Sequence, residues 1–318
     1  MRSLAHFWDA LQAFVDRLGS VSWNAMVLAL LFHVANLLLR SRAWQSILAD
    51  ALPGQRVRWP RVFGAYTAGV GINALLPARA GDVTKLFLVH QKLPKASYAT
   101  LGATLIVETL FDIPAAFLLM LWAWLAGHVP HLPGVPAFEF SFVAEHGTVF
   151  LVGLVVLAFA VFATFVIKRR QLYRFWARVA DGFNILREPR RYLKRVVALQ
   201  ATGWVCRIIT AWFFLSAFHI PATVENALLV LVIQSAATAL PLTPGGIGPK
   251  QALAVVILAG AAAKTDLLAF SIGMEIAILA TNVILGFASM ALMLRGVGFR
   301  EAIRASRRQH ADPPTPVS

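Results

Sequence analysis

The stretch Ile72-Asn-Ala-Leu-Leu-Pro-Ala-Arg-Ala-Gly-Asp-Val-Thr-Lys-Leu-Phe87 places a proline, an arginine, an aspartate and a lysine close together between apolar segments. A proline removes a backbone donor and interrupts a helix. A charged side chain costs free energy wherever it lies in hydrocarbon. How this broken and charged stretch is accommodated therefore decides the fold.

The composition is that of an integral membrane protein. Of the 318 residues, 58% are hydrophobic and 14% are charged, and the mean hydropathy is +0.69, which lies outside the range of soluble globular domains. Some apolar runs are long enough to cross about 30 Å of hydrocarbon as helices, and others are too short. The long runs are 21–39, 100–126, 148–167, 196–218 and 267–294, and the short ones are 62–76, 82–93, 224–240 and 249–263.

The net charge of +14 follows a membrane pattern, and we expect no nucleic-acid partner. Most of the 29 lysine and arginine residues fall in the flanks 40–61, 168–195 and 295–308, whereas the segments 127–147 and 219–226 contain none. Basic flanks face the cytoplasm in membrane proteins. This distribution predicts a multi-pass protein of the cell inner membrane with a cytoplasmic C-terminus.

A second broken segment, Ala239-Leu-Pro-Leu-Thr-Pro-Gly-Gly-Ile-Gly-Pro-Lys-Gln251, indicates an internal repeat. A shift of 167 residues aligns four pairs of chemically distinctive residues: Pro77 with Pro244, Gly81 with Gly248, Glu108 with Glu275, and Arg40 with Arg207.

The basic flanks place the two broken segments on opposite sides, the first entering from the cytoplasm and the second from outside. We therefore predict an all-α integral membrane protein, with about five to seven full transmembrane helices plus two broken-helix re-entrant hairpins in an inverted repeat. This is a transporter architecture. The alternative is that each short pair forms two full tilted crossings, which gives nine spans.

The predicted organisation has five parts. They are an interfacial amphipathic helix (1–20), a first repeat (21–126, hairpin 62–93), a linking span with a basic cytoplasmic amphipathic segment (127–195), a second repeat (196–294, hairpin 224–263) and a basic disordered cytoplasmic tail (295–318).

A new half-helix is expected after each break, with Gly81 and Asp82 resembling a cap and Pro249 at a first helical position. The free N–H groups and positive dipole ends would point to the membrane midplane, where an anion is the natural ligand. Arg79 would clamp that anion or pair with Asp82 to hold the turn. The predicted substrate-binding residues are Asn73, Arg79, Asp82, Lys85, Gly245, Gly246, Gly248 and Lys250.

Carboxylates within the predicted spans form a second candidate set. Glu108 and Asp112 lie four residues apart and should face the protein interior, because each is costly in lipid. They would carry a coupling proton or hold an arginine in a fixed ion pair, and Pro114 should kink their span. The residues assigned to coupling or gating are Glu108, Asp112, Glu275, Arg40 and Arg207.

No metal or cofactor is expected. Cys206 is the only cysteine, which rules out a disulfide within the chain. His128 and His131 have a metal-compatible spacing but lack a third partner.

Three short motifs resemble the lysylphosphatidylglycerol synthase transmembrane family, whose members contain a flippase-like domain. We expect a stand-alone member without the soluble synthase domain, and therefore no lysyl transfer. Asp82 stands where a glutamate is common. The motifs are Asn73-x-Leu-Leu-Pro-x-Arg-x-Gly-Asp82, Pro244-Gly-Gly-x-Gly248 and Arg40-Ser-Arg-Ala-Trp44.

The sequence thus favours a flippase or transporter that moves an anionic or lipid-linked amphiphile and is not itself an enzyme. One alternative is a membrane enzyme or subunit acting on a lipid-linked phosphate, with Glu108 or Asp112 as base and Arg79 as clamp. Another is a scaffold of a lipid-biosynthetic complex. The expected partners are membrane lipids with an anionic headgroup; lipid-biosynthetic enzymes and a second copy of the chain are further candidates.

Overall fold

The structure is a computed structural model, and it describes residues 19–76, 80–93, 95–128, 177–239 and 248–295. These residues form helices joined by short turns, with no strand among them. The α-helices are α1 (Trp23–Ala51), α2 (Trp59–Leu75), α3 (Ala80–Lys92), α4 (Tyr98–Thr109), α5 (Asp112–Leu125), α6 (Pro189–Tyr192), α7 (Ala198–Ala217), α8 (Val224–Ala239), α9 (Pro249–Ile257) and α10 (Lys264–Arg295).

Four helical segments of the described chain are long and apolar enough to cross a membrane: Trp23–Ala51, Tyr98–Leu125, Pro189–Ala217 and Lys264–Met293. They cover four of the five long apolar runs to within one or two residues and confirm an all-α membrane protein. The fifth run, 148–167, lies outside the described residues. So do residues 1–18 and the tail from 296 onward.

The second of these segments is interrupted where the sequence predicts a kink. Residues 110–111 form a turn between α4 and α5. Pro114 cannot donate a hydrogen bond to the carbonyl of Leu110, because proline has no N–H. The direction of the span continues through this turn, and Glu108 and Asp112 remain on one face.

Helices α2 and α3 pack side by side as a helical hairpin. The backbones of Gly69 and Gly81 approach so closely that a Cβ on Gly81 would lie 1.8 Å from the Gly69 carbonyl oxygen. At the other end of the hairpin, Val62 of α2 and Val89 of α3 line the same cleft. The two helices are therefore antiparallel, with the end of α2 close to the start of α3.

We predict that Gly81→Ala separates these two helices and lowers the free energy of unfolding by about 1–3 kcal/mol, because the new methyl group meets backbone atoms that cannot move aside. Gly102→Ala in α4 is the matched control, since nothing lies within 4 Å of its added Cβ. That control should be neutral or slightly stabilised by helix propensity. Thermal unfolding in one detergent measures both variants, and equal stability would contradict the close packing.

Helices α8 and α9 are the second pair of short helices, with 16 and 9 residues. Pro249 occupies the first turn of α9, as predicted. Gly248 precedes it with a φ of 96°, a conformation that glycine adopts without strain. The side chain of Gln251 accepts a hydrogen bond from the Gly248 N–H at 2.6 Å and so caps the helix.

A salt bridge and a histidine–glutamate contact join the ends of helices at two places. At one end, Arg191 lies 2.8 Å from Asp50, beside the C-terminus of α1. At the other end, His128 after α5 lies 3.1 Å from Glu225 in the first turn of α8.

The described part of the predicted basic amphipathic segment is less regular than expected. A helix ends near residue 182 and is followed by a 3-10 turn, Asn184–Arg187. Ile185 in this turn is only 2% exposed because it packs against Ile47 and Val107.

Candidate functional site

Arg40 is the centre of the largest polar cluster inside the bundle. Its guanidinium group binds Asp112 through two nitrogens, with Nη1–Oδ1 at 3.0 Å and Nη2–Oδ2 at 2.5 Å. Nη2 also lies 3.1 Å from Glu108 Oε1. Nε donates to the Tyr66 hydroxyl at 2.9 Å, and that hydroxyl donates to Glu108 at 3.1 Å. All three guanidinium nitrogens are thus engaged.

Helix α7 completes this cluster from the other side. Trp204 Nε1 donates to Asp112 Oδ1 at 2.9 Å, and Gln200 Nε2 donates to the backbone carbonyl of Glu108 at 2.7 Å. That carbonyl lies just before the interruption at residues 110–111. Side chains from α1, α2, α4, α5 and α7 therefore converge on one ion-paired group.

The first basic flank was predicted to span residues 40–61. The burial of Arg40 within α1 corrects the start of this flank. Helix α1 continues unbroken through Arg40 to Ala51, and the Arg40 side chain is only 15% exposed. Two carboxylates compensate its charge, so the helix remains in the interior at this point. The flank begins instead at the exposed Arg42.

Near the tip of the first hairpin, the polar residues hold one another. The Asn73 side chain accepts from the Gly81 N–H at 2.7 Å and donates to Asp82 at 3.2 Å. Asp82 also lies 3.3 Å from the ammonium group of Lys85, which lies 4.3 Å from the Tyr66 ring centroid. Asn73, not the predicted Gly81 and Asp82 pair, therefore caps α3.

The second pair of short helices, α8 and α9, is held to α10 by a separate ion pair. Lys250 Nζ in the first turn of α9 lies 3.0 Å and 2.9 Å from the two carboxylate oxygens of Glu275 in α10. Both side chains are largely buried, with exposed fractions of 13% and 14%. Two turns further along α10, Asn282 hydrogen-bonds the ring of His33 at 2.8 Å.

Arg207 is positioned differently from its sequence counterpart Arg40. Its guanidinium carbon lies 4.6 Å from the Trp204 ring centroid, and it forms no ion pair with any carboxylate of the described residues. The sequence explains this difference: a shift of 167 residues places Leu279 where Asp112 would be, and Glu275 is already bound to Lys250.

The structure thus brings together Arg40, Glu108 and Asp112, and separately Lys250 with Glu275. Of the predicted substrate-binding residues, Arg79, Gly245 and Gly246 lie outside the described residues, as do Pro77 and Pro244. Gly248 serves as the N-cap of α9. Within the described ranges, no group of three histidine, cysteine, aspartate or glutamate side chains could hold a metal ion.

Four residues of these clusters were missed from the sequence. His33 and Gln200 are polar residues within long apolar runs, and a shift of 167 residues aligns them. This pattern could have identified both as candidate site residues. Tyr66 and Trp204 carry no such signal, because aromatic residues are common in spans and at their ends.

Comparison with known proteins identifies relatives of this chain. The family described as "Lysylphosphatidylglycerol synthase TM region" matches residues 3–286. A UPF0104 membrane protein from Methanocaldococcus jannaschii is 24% identical over 190 residues, which is 59% of this chain and 78% of that relative. No solved structure matches.

Proposed function

The chain belongs to the lysylphosphatidylglycerol synthase transmembrane family, and we propose that it moves an amphiphile with an anionic headgroup across the cell inner membrane. In this proposal two inverted repeats each contribute a span, a re-entrant hairpin and a second span. The headgroup passes between the hairpins while the apolar tails stay in the bilayer.

The packing of α1 against α7 supports the inverted repeat. The Ser22 N–H before α1 donates to the Ala217 carbonyl at the end of α7, at 2.9 Å, so the two helices are antiparallel. Asn36 and Gly203 are equivalent under the shift of 167 residues, and they touch: a Cβ on Gly203 would lie 2.9 Å from Asn36 Oδ1. When a two-fold axis passes between two equivalent helices, the residues next to the axis are equivalent to each other and are in contact. The contact of Asn36 with Gly203 fits this arrangement.

The other helix contacts occur in matching pairs, as the repeat requires. Helix α2 packs on α3 and on the distant α10, and correspondingly α8 packs on α9 and on the distant α5. The first helix of each hairpin therefore packs against the last span of the other repeat.

Contacts with helix α10 indicate how deeply the first hairpin enters the membrane. Thr67 of α2 hydrogen-bonds Ser289 at 2.8 Å, and a Cβ on Gly71 would lie 2.7 Å from the Asn282 carbonyl oxygen. The tip of α2 at Leu75 is thus level with the middle of α10. This depth supports a hairpin that stops halfway, since α10 continues well beyond Asn282 to Lys264.

The second hairpin approaches the same part of α10 from the opposite end. Lys250, at the start of α9, holds Glu275. Glu275 and Asn282 are two turns apart, about 10 Å along the helix. The end of α2 and the start of α9 therefore lie against neighbouring turns of α10, which supports a substrate site near the centre of this span, as in inverted-repeat transporters.

The distribution of charge suggests which side chain binds the headgroup. Arg40, Lys85 and Lys250 each have a carboxylate partner, whereas Arg207 has only the Trp204 ring among the described residues. We therefore assign headgroup binding first to Arg207, which the sequence had suggested for coupling. Arg79 stays a predicted second contact. A guanidinium group suits this role because it can donate two parallel hydrogen bonds to a phosphate.

The arrangement of Glu108 and Asp112 favours transport over the enzyme alternative. A general base must be free to accept a proton from its substrate, but here both carboxylates hold Arg40. In our proposal these ion pairs close one side of the path, and the Lys250–Glu275 pair closes the other. They open in turn as the headgroup passes.

Purified protein in liposomes with fluorescent lipids of several headgroups tests this function. We expect transbilayer movement that depends on the headgroup, at least ten-fold slower in Arg207→Gln, because the bound phosphate loses its guanidinium partner. The exposed Arg42→Gln is the matched control and should retain the wild-type rate. No headgroup-dependent movement in the wild type would contradict transport, and a change in lipid mass would favour an enzyme.

A further inference from the structure

Glu108 lies between two cations that belong to different helices. Its Oε1 atom lies 3.1 Å from Nη2 of Arg40 in α1 and accepts a hydrogen bond from the Tyr66 hydroxyl, also at 3.1 Å. Lys85 in α3 is the second cation, and Glu108 attracts it electrostatically. The Glu108 carboxylate is therefore placed to pair with a cation of α1 or with a cation of α3.

One side chain, that of Tyr66, contacts both Lys85 and Glu108. The Lys85 ammonium nitrogen lies 4.3 Å from the centroid of the Tyr66 ring, and the hydroxyl of the same ring donates to Glu108. The stem of Lys85 runs along the backbone of α2, since a Cβ on Gly69 would lie 2.3 Å from Lys85 Cγ. This packing directs the ammonium group into the bundle. Because a lysine side chain is flexible, the ammonium group can move from the ring to the carboxylate while α3 stays in place.

The two carboxylates near Lys85 differ in how deeply they are buried. Asp82, which lies 3.3 Å from the Lys85 ammonium group, has a side chain that is 29% exposed, whereas the side chain of Glu108 is 4% exposed. In a wet transport path, solvent compensates a partly exposed carboxylate when its cation leaves. A buried carboxylate left without a cation is strongly destabilised. Lys85 can therefore leave Asp82 at a lower cost than Glu108 can lose its cation.

The proposed function requires the ion pairs of Arg40 to open, and this step would leave the buried Glu108 without its cation. We propose that Lys85 leaves Asp82 and pairs with Glu108 when these ion pairs open. Arg40 keeps Asp112, which it binds through two nitrogens. This inference rests on the proposed function, and it names the step that couples the first hairpin to the opening of the Arg40 ion pairs.

Transport rates of paired variants in liposomes test this exchange. Lys85→Gln should slow the headgroup-dependent movement about ten-fold or more, because the open state then leaves Glu108 uncompensated. In a Glu108→Gln background, the same substitution should slow movement less than about two-fold, because no charge remains there to compensate. Asp82→Asn is the matched control background, in which the cost of Lys85→Gln should persist at about ten-fold.

These backgrounds separate the exchange from a role of Lys85 at Asp82 alone. If Lys85 acted only through Asp82, its substitution would be harmless in Asp82→Asn and costly in Glu108→Gln. Either of those results would overturn the exchange, as would equal losses in all three proteins.

Crosslinking tests the same exchange without transport. A lipid-soluble carbodiimide joins a carboxylate to an adjacent amine as an amide with loss of water, and mass spectrometry of peptides from the full-length protein identifies the two residues. In Asp82→Asn, which frees Lys85 from its resting partner, the Lys85–Glu108 amide should be about five-fold more abundant than in the wild type. The Lys250–Glu275 amide is the internal standard, because that pair already lies at 2.9 Å and contains neither substituted residue.

The crosslink also distinguishes failure of the exchange from failure of the proposed function. Absence of the Lys85–Glu108 amide in Asp82→Asn would overturn the exchange, and this result decides the question even if Lys85→Gln does not fold. A wild type that moves no lipid, together with an Asp82→Asn variant that forms the amide, would contradict transport and still support the exchange.

Discussion

An Arg40→Gln variant is expected to lose about 3–5 kcal/mol of its free energy of unfolding. The substitution leaves the Glu108 carboxylate, whose side chain is 4% exposed, without its positive partner. It also removes the bidentate contact with Asp112 and the hydrogen bond to Tyr66. A buried charge without a partner costs more than the intact pair contributes, and the penalty is therefore large. Unfolding in mixed detergent micelles measures it.

Two further variants show whether the missing partner is the cause. Arg42→Gln lies two positions along α1 but at an exposed site, so it should cost less than about 1 kcal/mol. Adding Glu108→Gln and Asp112→Asn to Arg40→Gln removes the uncompensated charges and should recover more than half of the loss. If the triple variant is no more stable than Arg40→Gln, the ion-pair explanation is wrong.

The apolar runs of the sequence predicted most of the longer helices of the described chain. Apolar runs end where hydrocarbon ends, so their limits approximate the limits of helices. The run 224–240 became α8, Val224–Ala239, for example. The largest error was at α1, which extends twelve residues beyond its apolar run to Ala51. There the tertiary ion pairs of Arg40 compensate a charge that hydropathy counts as a helix end.

Individual site residues were less predictable than the helices. Glu108 and Asp112 could be placed on one face, because residues four apart in a helix are neighbours. Their partner could not be chosen among Arg40, Arg42 and Arg207 without the structure, since that choice depends on contacts between residues about 70 positions apart. Asp82 contacts both Asn73 and Lys85, and the sequence did not show this either, although the contacts are local.

The two repeats differ in a way that bears on mechanism. The first repeat neutralises its arginine with two carboxylates, whereas the second has Leu279 in place of one of them and binds the other to Lys250. We infer that the two proposed repeats differ in role: the first closes the path through the ion pairs of Arg40, and the second presents Arg207 to substrate.

We propose that the two hairpins enter from opposite faces and stop near the middle of the membrane. Single cysteines in a Cys206→Ala background, treated with a membrane-impermeant maleimide from each side, test it directly. Two exposed positions outside the tips calibrate the sidedness. We expect Lys95→Cys to react only from the cytoplasm, and Val224→Cys only from outside.

Cysteines near the two tips then show whether each hairpin reaches the far side of the membrane. Leu76→Cys follows α2, and Ala252→Cys lies in the first turn of α9. We expect no labelling of Leu76→Cys from outside and none of Ala252→Cys from the cytoplasm, because each proposed hairpin turns back before it reaches the far surface. Two results would show full crossings and contradict re-entrant hairpins. One is labelling of Leu76→Cys from outside as fast as Val224→Cys, and the other is labelling of Ala252→Cys from the cytoplasm as fast as Lys95→Cys.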